Sequence, residues 1–357
     1  MAEDERTASA PRGARGRTLL VTGGAGFIGS NFVAAHLAQR PHDRVIVLDA
    51  LTYAGRLESL PPEVRSSDRF EFLHGNVRSQ IVVESLVQRV DAIVHFAAET
   101  HVPRSFSDGM LFVETDVLGT QTVLAAAARH REQIERLVHI STSEVYGTAL
   151  GDAIEEGHPL QPHTPYAAAK CGADRLVHAS AVTYELPAVI LRPFNNYGPS
   201  QHLEKLVPRL VTSALLGEPL TVHGDGSSSR DWIHVRDTCR AVEAVLDAPL
   251  EAVRGEVFNV ATGRSTDVLS IARQVLALTG RCETDLVHTP DRPGQVKRQR
   301  SAVDKAAERL GFRAEIGLER GLAETVDWYR SHRDWWEGLR WMRSVPVLGS
   351  DGRVTYW

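Results

Sequence analysis

The 357-residue chain is poor in cysteine: Cys171, Cys239 and Cys282 are odd in number, widely spaced, and form no C-x-x-C pair. That pattern supplies neither a disulfide framework nor a zinc cluster, so no metal is expected and a cytoplasmic setting is. Long apolar runs are missing as well. Nothing approaches the roughly 20 residues of a membrane span, and Met1 to Gly16 lacks the apolar stretch of a signal peptide. Those first sixteen residues read as a disordered tail. Basic excess is also absent: 40 Lys and Arg are scattered among 45 Asp and Glu, for a net charge of −5. The chain therefore has no basic stripe for nucleic acid, and a membrane partner is excluded on the same composition.

What is present is a pair of motifs far apart in sequence. Thr22-Gly23-Gly24-Ala25-Gly26-Phe27-Ile28-Gly29 follows the apolar run Leu19-Leu20-Val21. At a strand-to-helix junction such a Gly-x-Gly-x-x-Gly loop lets backbone N–H groups approach a pyrophosphate. A second apolar run, Val45 to Leu48, ends in Asp49, twenty positions after Gly29, where a carboxylate suits the hydroxyls of an adenosine ribose. No Arg or Lys follows it at once, which favours NAD over NADP. The other motif is Tyr166-Ala167-Ala168-Ala169-Lys170. Four residues make one helical turn, so Tyr166 and Lys170 share a face and the ammonium can stabilise a tyrosinate as acid and base. Together the two motifs read as a nicotinamide enzyme.

Short β-rich runs alternate with helical patterns: Thr18 to Val21, Val45 to Leu48, Phe70 to Leu73, Ala92 to Phe96, Leu137 to Ile140 and Ala188 to Leu191. Phe27 to Gln39, Gln80 to Arg89 and Gly119 to His130 between them fit crossover helices. This predicts an α/β fold, a Rossmann doubly wound, mainly parallel sheet with a smaller, discontinuous C-terminal lobe. Residues 17–192 would form the cofactor domain and 193–345 mainly the substrate lobe, with 346–357 a tail. Asp231 to Val235 and Val257 to Val260 are expected to return to the first sheet. Trp328, Trp335, Trp336 and Trp341 read as aromatic anchors of the last helix.

The chain closely resembles the extended short-chain dehydrogenase/reductase superfamily, in particular its nucleotide-sugar 4,6-dehydratase and UDP-glucuronate decarboxylase branch. The resemblance runs through Thr22 to Gly29, Asp49 with Leu51 to Gly55, His95 to His101, Ser141 to Gly147, Tyr166 to Lys170, Asn195 to Pro199 and Arg230 to Trp232. It implies NAD bound by Gly23, Gly24, Gly26, Phe27, Ile28, Gly29, Asp49, Asn76, Ala97, Tyr166 and Lys170. It implies a nucleoside-diphosphate sugar in the C-terminal lobe, with Tyr166 and Thr142 on the C4 hydroxyl and Lys170 on the nicotinamide ribose. Glu144 is the candidate base. Arg104, Asn195, Asn196, Lys205, Arg230 and Arg292 are candidate substrate contacts, the cations because guanidinium forks and ammonium charges match phosphate oxygens. A homodimer, paired through the helix of Tyr166 and its neighbour, is implied in the same way.

Two departures bear on the chemistry. Dehydratases acting on deoxythymidine-diphosphate glucose carry Thr-Asp-Glu where this chain has Thr142-Ser143-Glu144, and usually an acid at the position of Pro103. A serine is a poor general acid near neutral pH. Losing both acids makes the pocket more hospitable to an anionic sugar. The reading that follows is a carboxy-lyase: C4 oxidation of UDP-glucuronate, loss of CO₂, and release of UDP-4-keto-pentose or UDP-xylose. The alternative is a 4,6-dehydratase giving a 4-keto-6-deoxy sugar. An epimerase and a non-catalytic NAD-binding protein rank below both.

Overall fold

The computed structural model describes residues 16–290, 296–348 and 354–356. Its central feature is a seven-stranded sheet of β1 (Thr18–Thr22), β2 (Arg44–Asp49), β3 (Phe70–His74), β4 (Ala92–His95), β5 (Arg136–Ile140), β6 (Ala188–Pro193) and β10 (Val257–Val260). The order is β3-β2-β1-β4-β5-β6-β10, and every neighbouring pair is parallel. The order reverses at β1 and β4, the switch point where such sheets place ligands beyond their carboxyl ends.

Each strand is a nearly continuous apolar run because helices cover both faces. On one face Leu19, Val21, Val45 and Val47 pack with Phe32 and Val33 of α1 (Phe27–Gln39). On the other Leu20, Ile46 and Ile93 meet α2 (Gln80–Val87) and α4 (Gly119–Arg129). α3 (Val102–Ser107) and α5 (Pro165–Thr183) complete the wall around the sheet's carboxyl edge. Those strands and the three crossover helices start and stop within two residues of the expected limits.

A single residue, Phe194, separates β6 from β7 (Asn195–Tyr197), so one chain segment serves two sheets. β7 pairs with β9 (Ser229–His234), which pairs in turn with β11 (Ser265–Asp267). This corrects the expectation for Asp231 to Val235: its partner is the bent end of β6, outside the first sheet, while Val257–Val260 does join that sheet beside β6. β8 (Leu220–His223) pairs with β12 (Leu286–Thr289).

The second lobe packs α6 (Leu206–Leu216), α8 (Val268–Thr279) and α9 (Leu318–Ser331) around Trp232, Tyr329 and Trp336. Trp336 Nε1 donates to Tyr329 O at 2.7 Å, so its polar atom is satisfied inside the core. Trp335 is buried and Trp328 partly so, whereas Trp341 is 60% exposed and anchors nothing. Near the C-terminus, β13 (Pro346–Leu348) and β14 (Val354–Tyr356) pair as an antiparallel ribbon where a tail was expected. α7 (Val235–Asp247) leads from the second lobe back across α1 toward β10. The first fifteen residues lie outside the described ones, so the expected N-terminal tail does too.

Candidate active site

A cavity of about 470 Å³ opens across the carboxyl ends of the central strands and under the second lobe. Its floor begins at the glycine loop. Gly23 has φ +70°, and a Cβ there would meet Ala97 N at 2.6 Å. A Cβ on Gly29 would lie 2.2 Å from Gly23 O, so both positions need glycine for the backbone to close this tightly. Gly23, Gly26, Phe27, Ile28 and Gly29 line the cavity; Gly24 packs behind it on Val47.

Asp49 closes the next corner. It is buried, its Oδ2 accepting the Ala25 N–H at 2.9 Å and its Oδ1 the Leu51 N–H at 2.8 Å. Burial raises this carboxyl, and the two backbone donors work against that. Asn76 and Ala97 line the same end. A cradle that a side chain would fill, with an acid at the second strand end, fits a dinucleotide.

Local capping places the reactive side chains. Thr164 Oγ1 accepts the Ala167 N–H at 3.2 Å and Pro165 occupies the first helical position, which fixes the start of α5. Tyr166 then falls in the first turn and Lys170 in the next, both facing the cavity and both buried. Lys170 Nζ donates to Ile140 O at 2.6 Å. Burial lowers its pKa, while Asp116 and Asp174 pull it back up. Burial raises the Tyr166 phenol, and a hydrogen bond with Thr142 offsets part of that.

Thr142 stands just past β5 and accepts the Glu144 N–H at 3.2 Å, capping a short turn over Ser143–Tyr146. Thr142, Ser143 and Glu144 all line the cavity. Ser143 is 2% exposed, and its hydroxyl donates to Gln299 Oε1 at 3.4 Å.

The second lobe contributes Asn195, Asn196 and Lys205 to the cavity wall. Lys205 Nζ donates to Thr100 O at 2.7 Å. Asn195 Oδ1, Gln201 Oε1 and both ring nitrogens of His202 are buried without a hydrogen-bond partner among the described residues, a cost that a polar ligand would relieve. Arg104 and Arg230 stand behind the lining. Arg104 lies over the Tyr53 ring at 4.0 Å and donates to Glu204 Oε2 at 3.1 Å; Arg230 donates to Ser229 O at 3.0 Å and feels Glu144. Arg292 is outside the described residues.

Sequence reasoning passed over Glu99, Asp116, Glu204 and Gln299. Glu204 accepts from both Tyr53 OH at 2.9 Å and Arg104, tying the loop after β2 to the second lobe. Its one sequence signal is its place beside Lys205 in the Leu203-Glu204-Lys205 run. No helix among the described residues is long and apolar enough to cross a membrane, and no group of His, Cys, Asp and Glu there has the arrangement of a metal site.

Residues 20–325 match the family model described as GDP-mannose 4,6 dehydratase. A dTDP-glucose 4,6-dehydratase of Streptomyces niveus is 44% identical over 326 residues, covering 90% of this chain and 95% of the relative. One from Mycobacterium tuberculosis is 42% identical over 328 residues, covering 90% and 96%. The crystal structure of DesIV, a dTDP-glucose 4,6-dehydratase from Streptomyces venezuelae with NAD and TYD bound, superposes with a TM-score of 0.85 at 43% identity, covering 90% of this chain and 99% of that one. These likenesses overturn the expected decarboxylation of UDP-glucuronate and the carboxy-lyase class with it. The physical reason is on the cavity wall. Losing acids at Pro103 and Ser143 does not empty the pocket of negative charge, because Glu99, Glu144 and Glu204 line it.

Proposed function

Because the chain belongs to the GDP-mannose 4,6-dehydratase family, we propose that it is an NAD-dependent hydro-lyase that turns a nucleoside-diphosphate hexose into its 4-keto-6-deoxy derivative. The observation that carries this reading is the convergence of Thr142, Glu144, Tyr166 and Lys170 on one cavity whose other end is the glycine loop and Asp49. NAD held at the glycine loop and Asp49 would supply the acceptor for the C4 hydride and the later donor of a hydride at C6. The chain's own residues handle protons. Tyr166 accepts the C4 hydroxyl proton, Thr142 orients that hydroxyl through its contact with the phenol, and Lys170 stabilises the tyrosinate.

A C4 ketone acidifies the C5–H bond, and Glu144 is the carboxylate placed to break it. The C6 hydroxyl must then leave as water, and the Ser143 hydroxyl can position it but not protonate it. Glu144 therefore hands the proton it took from C5 to the departing oxygen, so that C5–H and C6–O break and a C5=C6 bond forms. When the hydride goes back to C6, the C4 proton held on Tyr166 restores Glu144, which returns a proton to C5, and the conversion balances. The dTDP-glucose 4,6-dehydratases among the relatives support dTDP-glucose as substrate. Pairing of two copies through α5 and α4, and a cytoplasmic setting suited to free Cys171, Cys239 and Cys282, complete the proposal. Incubation with dTDP-glucose, UDP-glucose and GDP-mannose, followed by product mass, tests it. Loss of one water from a hexose nucleotide is expected. No mass change with any of the three overturns the reading.

A further inference from the structure

α5 carries a third charged or polar residue on the face of Tyr166 and Lys170. Asp174 follows Lys170 by four positions and Tyr166 by eight, so the three share one helical stripe, and all are buried. Asp174 Oδ2 accepts from Ser141 Oγ and from Arg192 Nε, each at 2.8 Å. Its Oδ1 accepts from Arg192 Nη2 at 2.9 Å and from Arg175 Nε at 3.1 Å. Two donors on each oxygen fill the carboxylate, and the guanidinium matches its charge.

Arg192 lies on β6, buried, with its remaining nitrogen free to reach further. That Nη1 donates to the Tyr146 hydroxyl at 2.9 Å, and the guanidinium stands over the Tyr146 ring at 4.8 Å. The Tyr146 hydroxyl donates in turn to Asn259 Oδ1 at 2.7 Å. Asn259 sits opposite Arg192 in the pairing of β6 with β10, and its Nδ2 donates to Ile154 O at 3.0 Å. A buried network whose members are all partnered in this way is stiff. Its two ends frame one short segment. Ser141 and Tyr146 flank Thr142, Ser143, Glu144 and Val145, the turn that presents Thr142 and Glu144 to the cavity. Gln299 also reaches this turn, but through two bonds of 3.4 Å, to Ser143 and to Gly147 O, both long for a hydrogen bond.

We propose that the Asp174–Arg192 pair is a positioning clamp, gripping the catalytic turn at Ser141 and Tyr146 so that Thr142 and Glu144 stay in register with Tyr166 and Lys170. Neither member of the pair lines the cavity, and both act through the residues they hold. The helix that presents the tyrosine and lysine thus also fixes the strand end opposite them: Lys170 Nζ takes Ile140 O at 2.6 Å, and one turn later Asp174 takes the hydroxyl of the next residue, Ser141. Charge balance alone asks for none of this, because Arg192 and Arg175 already meet the carboxylate. The inference rests on the roles proposed above for Thr142, Glu144 and Tyr166.

Ser141→Ala removes one attachment and leaves both guanidinium bonds of Asp174 in place, so the ion pair survives. Misplacing a reacting group by about 1 Å can cost roughly 10²-fold, and with the Tyr146 flank still held the rate of C4 oxidation should fall about tenfold. KM and NAD affinity should not change. The oxidation step is read in a single turnover from the absorbance of reduced nicotinamide. Because Ser141 acts through Thr142, the same substitution in a Thr142→Val background should cost nothing further. Ser141→Cys, whose thiol is a weak donor, should fall between serine and alanine, and it stands in if the alanine variant does not fold. Tyr146→Phe loosens the other flank, and quenched time courses should show the 4-keto hexose accumulating before water is lost. Wild-type oxidation by Ser141→Ala, or an undiminished loss in the Thr142→Val background, overturns the proposal. So does a Tyr146→Phe chain that loses water without delay. Amide exchange across residues 142–147 needs no substrate, and in Ser141→Ala it should quicken by about tenfold while α5 is unaltered. A wild-type chain inert toward every nucleotide sugar defeats the proposed function, and the clamp is then judged on that exchange, which overturns it if unchanged.

Discussion

Ser143→Asp places a carboxyl where the resemblance to dTDP-glucose dehydratases implies an acid, and the structure sets what this should do. The side chain at 143 is 2% exposed and its hydroxyl donates to Gln299 Oε1, 3.4 Å away. Gln299 can turn its amide so that Nε2 donates to the new carboxyl, giving up its 3.4 Å bond to Gly147 O. Burial will raise the new group's pKa and hold it protonated near neutrality, the state a general acid needs. A positioned acid contributes roughly 10²-fold or more to a proton-transfer step. If expulsion of the C6 hydroxyl limits turnover because Glu144 must serve both bonds, part of that factor should appear as a gain of about tenfold in kcat, or about 1.4 kcal/mol off the barrier. The assay is water loss from dTDP-glucose followed by product mass, with the C4 oxidation step watched separately through the absorbance of reduced nicotinamide. A variant that binds NAD normally, oxidises C4 at the wild-type rate and eliminates water no faster would refute the reading of position 143 as the place where a general acid is missing.

Tyr166→Phe keeps the ring and its edge contact with Phe112 but removes the phenol, so turnover should fall by at least ~10²-fold with NAD affinity retained, measured by titration. Gly29→Ala drives a methyl to 2.2 Å from Gly23 O, and NAD binding should be lost in a fluorescence titration. Asp174→Asn leaves the buried Arg192 guanidinium unbalanced and should cost about 3–5 kcal/mol in denaturant unfolding. Burial works to raise the Asp174 carboxyl, but Arg192 and Arg175 hold it below the ordinary range. Its stabilisation is thus present above about pH 4 and is lost as pH falls further, so the wild type should weaken on acidification there more steeply than the Asn variant. Sedimentation of the wild type should give a dimer; a monomer at all concentrations would refute the pairing proposed for α4 and α5.

The parts of this molecule that were legible in the sequence are those written in local periodicity. β1, β2 and the glycine loop could be read because apolar runs and a fixed glycine spacing fall within a few residues of one another. Tyr166 and Lys170 are one turn apart on a helix. The residues that escaped reading owe their positions to distant chain. Tyr53 and Glu204 are 151 residues apart and Ser143 and Gln299 are 156 apart, so no window contains either pair. Asp116 lies between Thr115 and Val117 like any solvated helix acid, and only a π-helical turn at Val113–Leu118 rotates it inward. Charge in the pocket was misjudged for the same reason. Two acids missing from short motifs were counted, while Glu99 and Glu204, which the fold brings back, were not.

Glu204 has one more consequence. A single carboxylate is gripped by Tyr53 from the loop that follows Asp49 and by Arg104 from α3, while its own backbone belongs to the sugar-facing lobe. Whatever enters one half of the cleft meets a wall already fastened to the other. Were a ligand in either half to steady this shared clasp, thermodynamic reciprocity would require each ligand to tighten the other by the same factor. The redox partner in this chemistry gives back at the end what it took at the start and has no reason to leave between cycles. A clasp of this kind would retain it as a resident of the enzyme while sugars come and go.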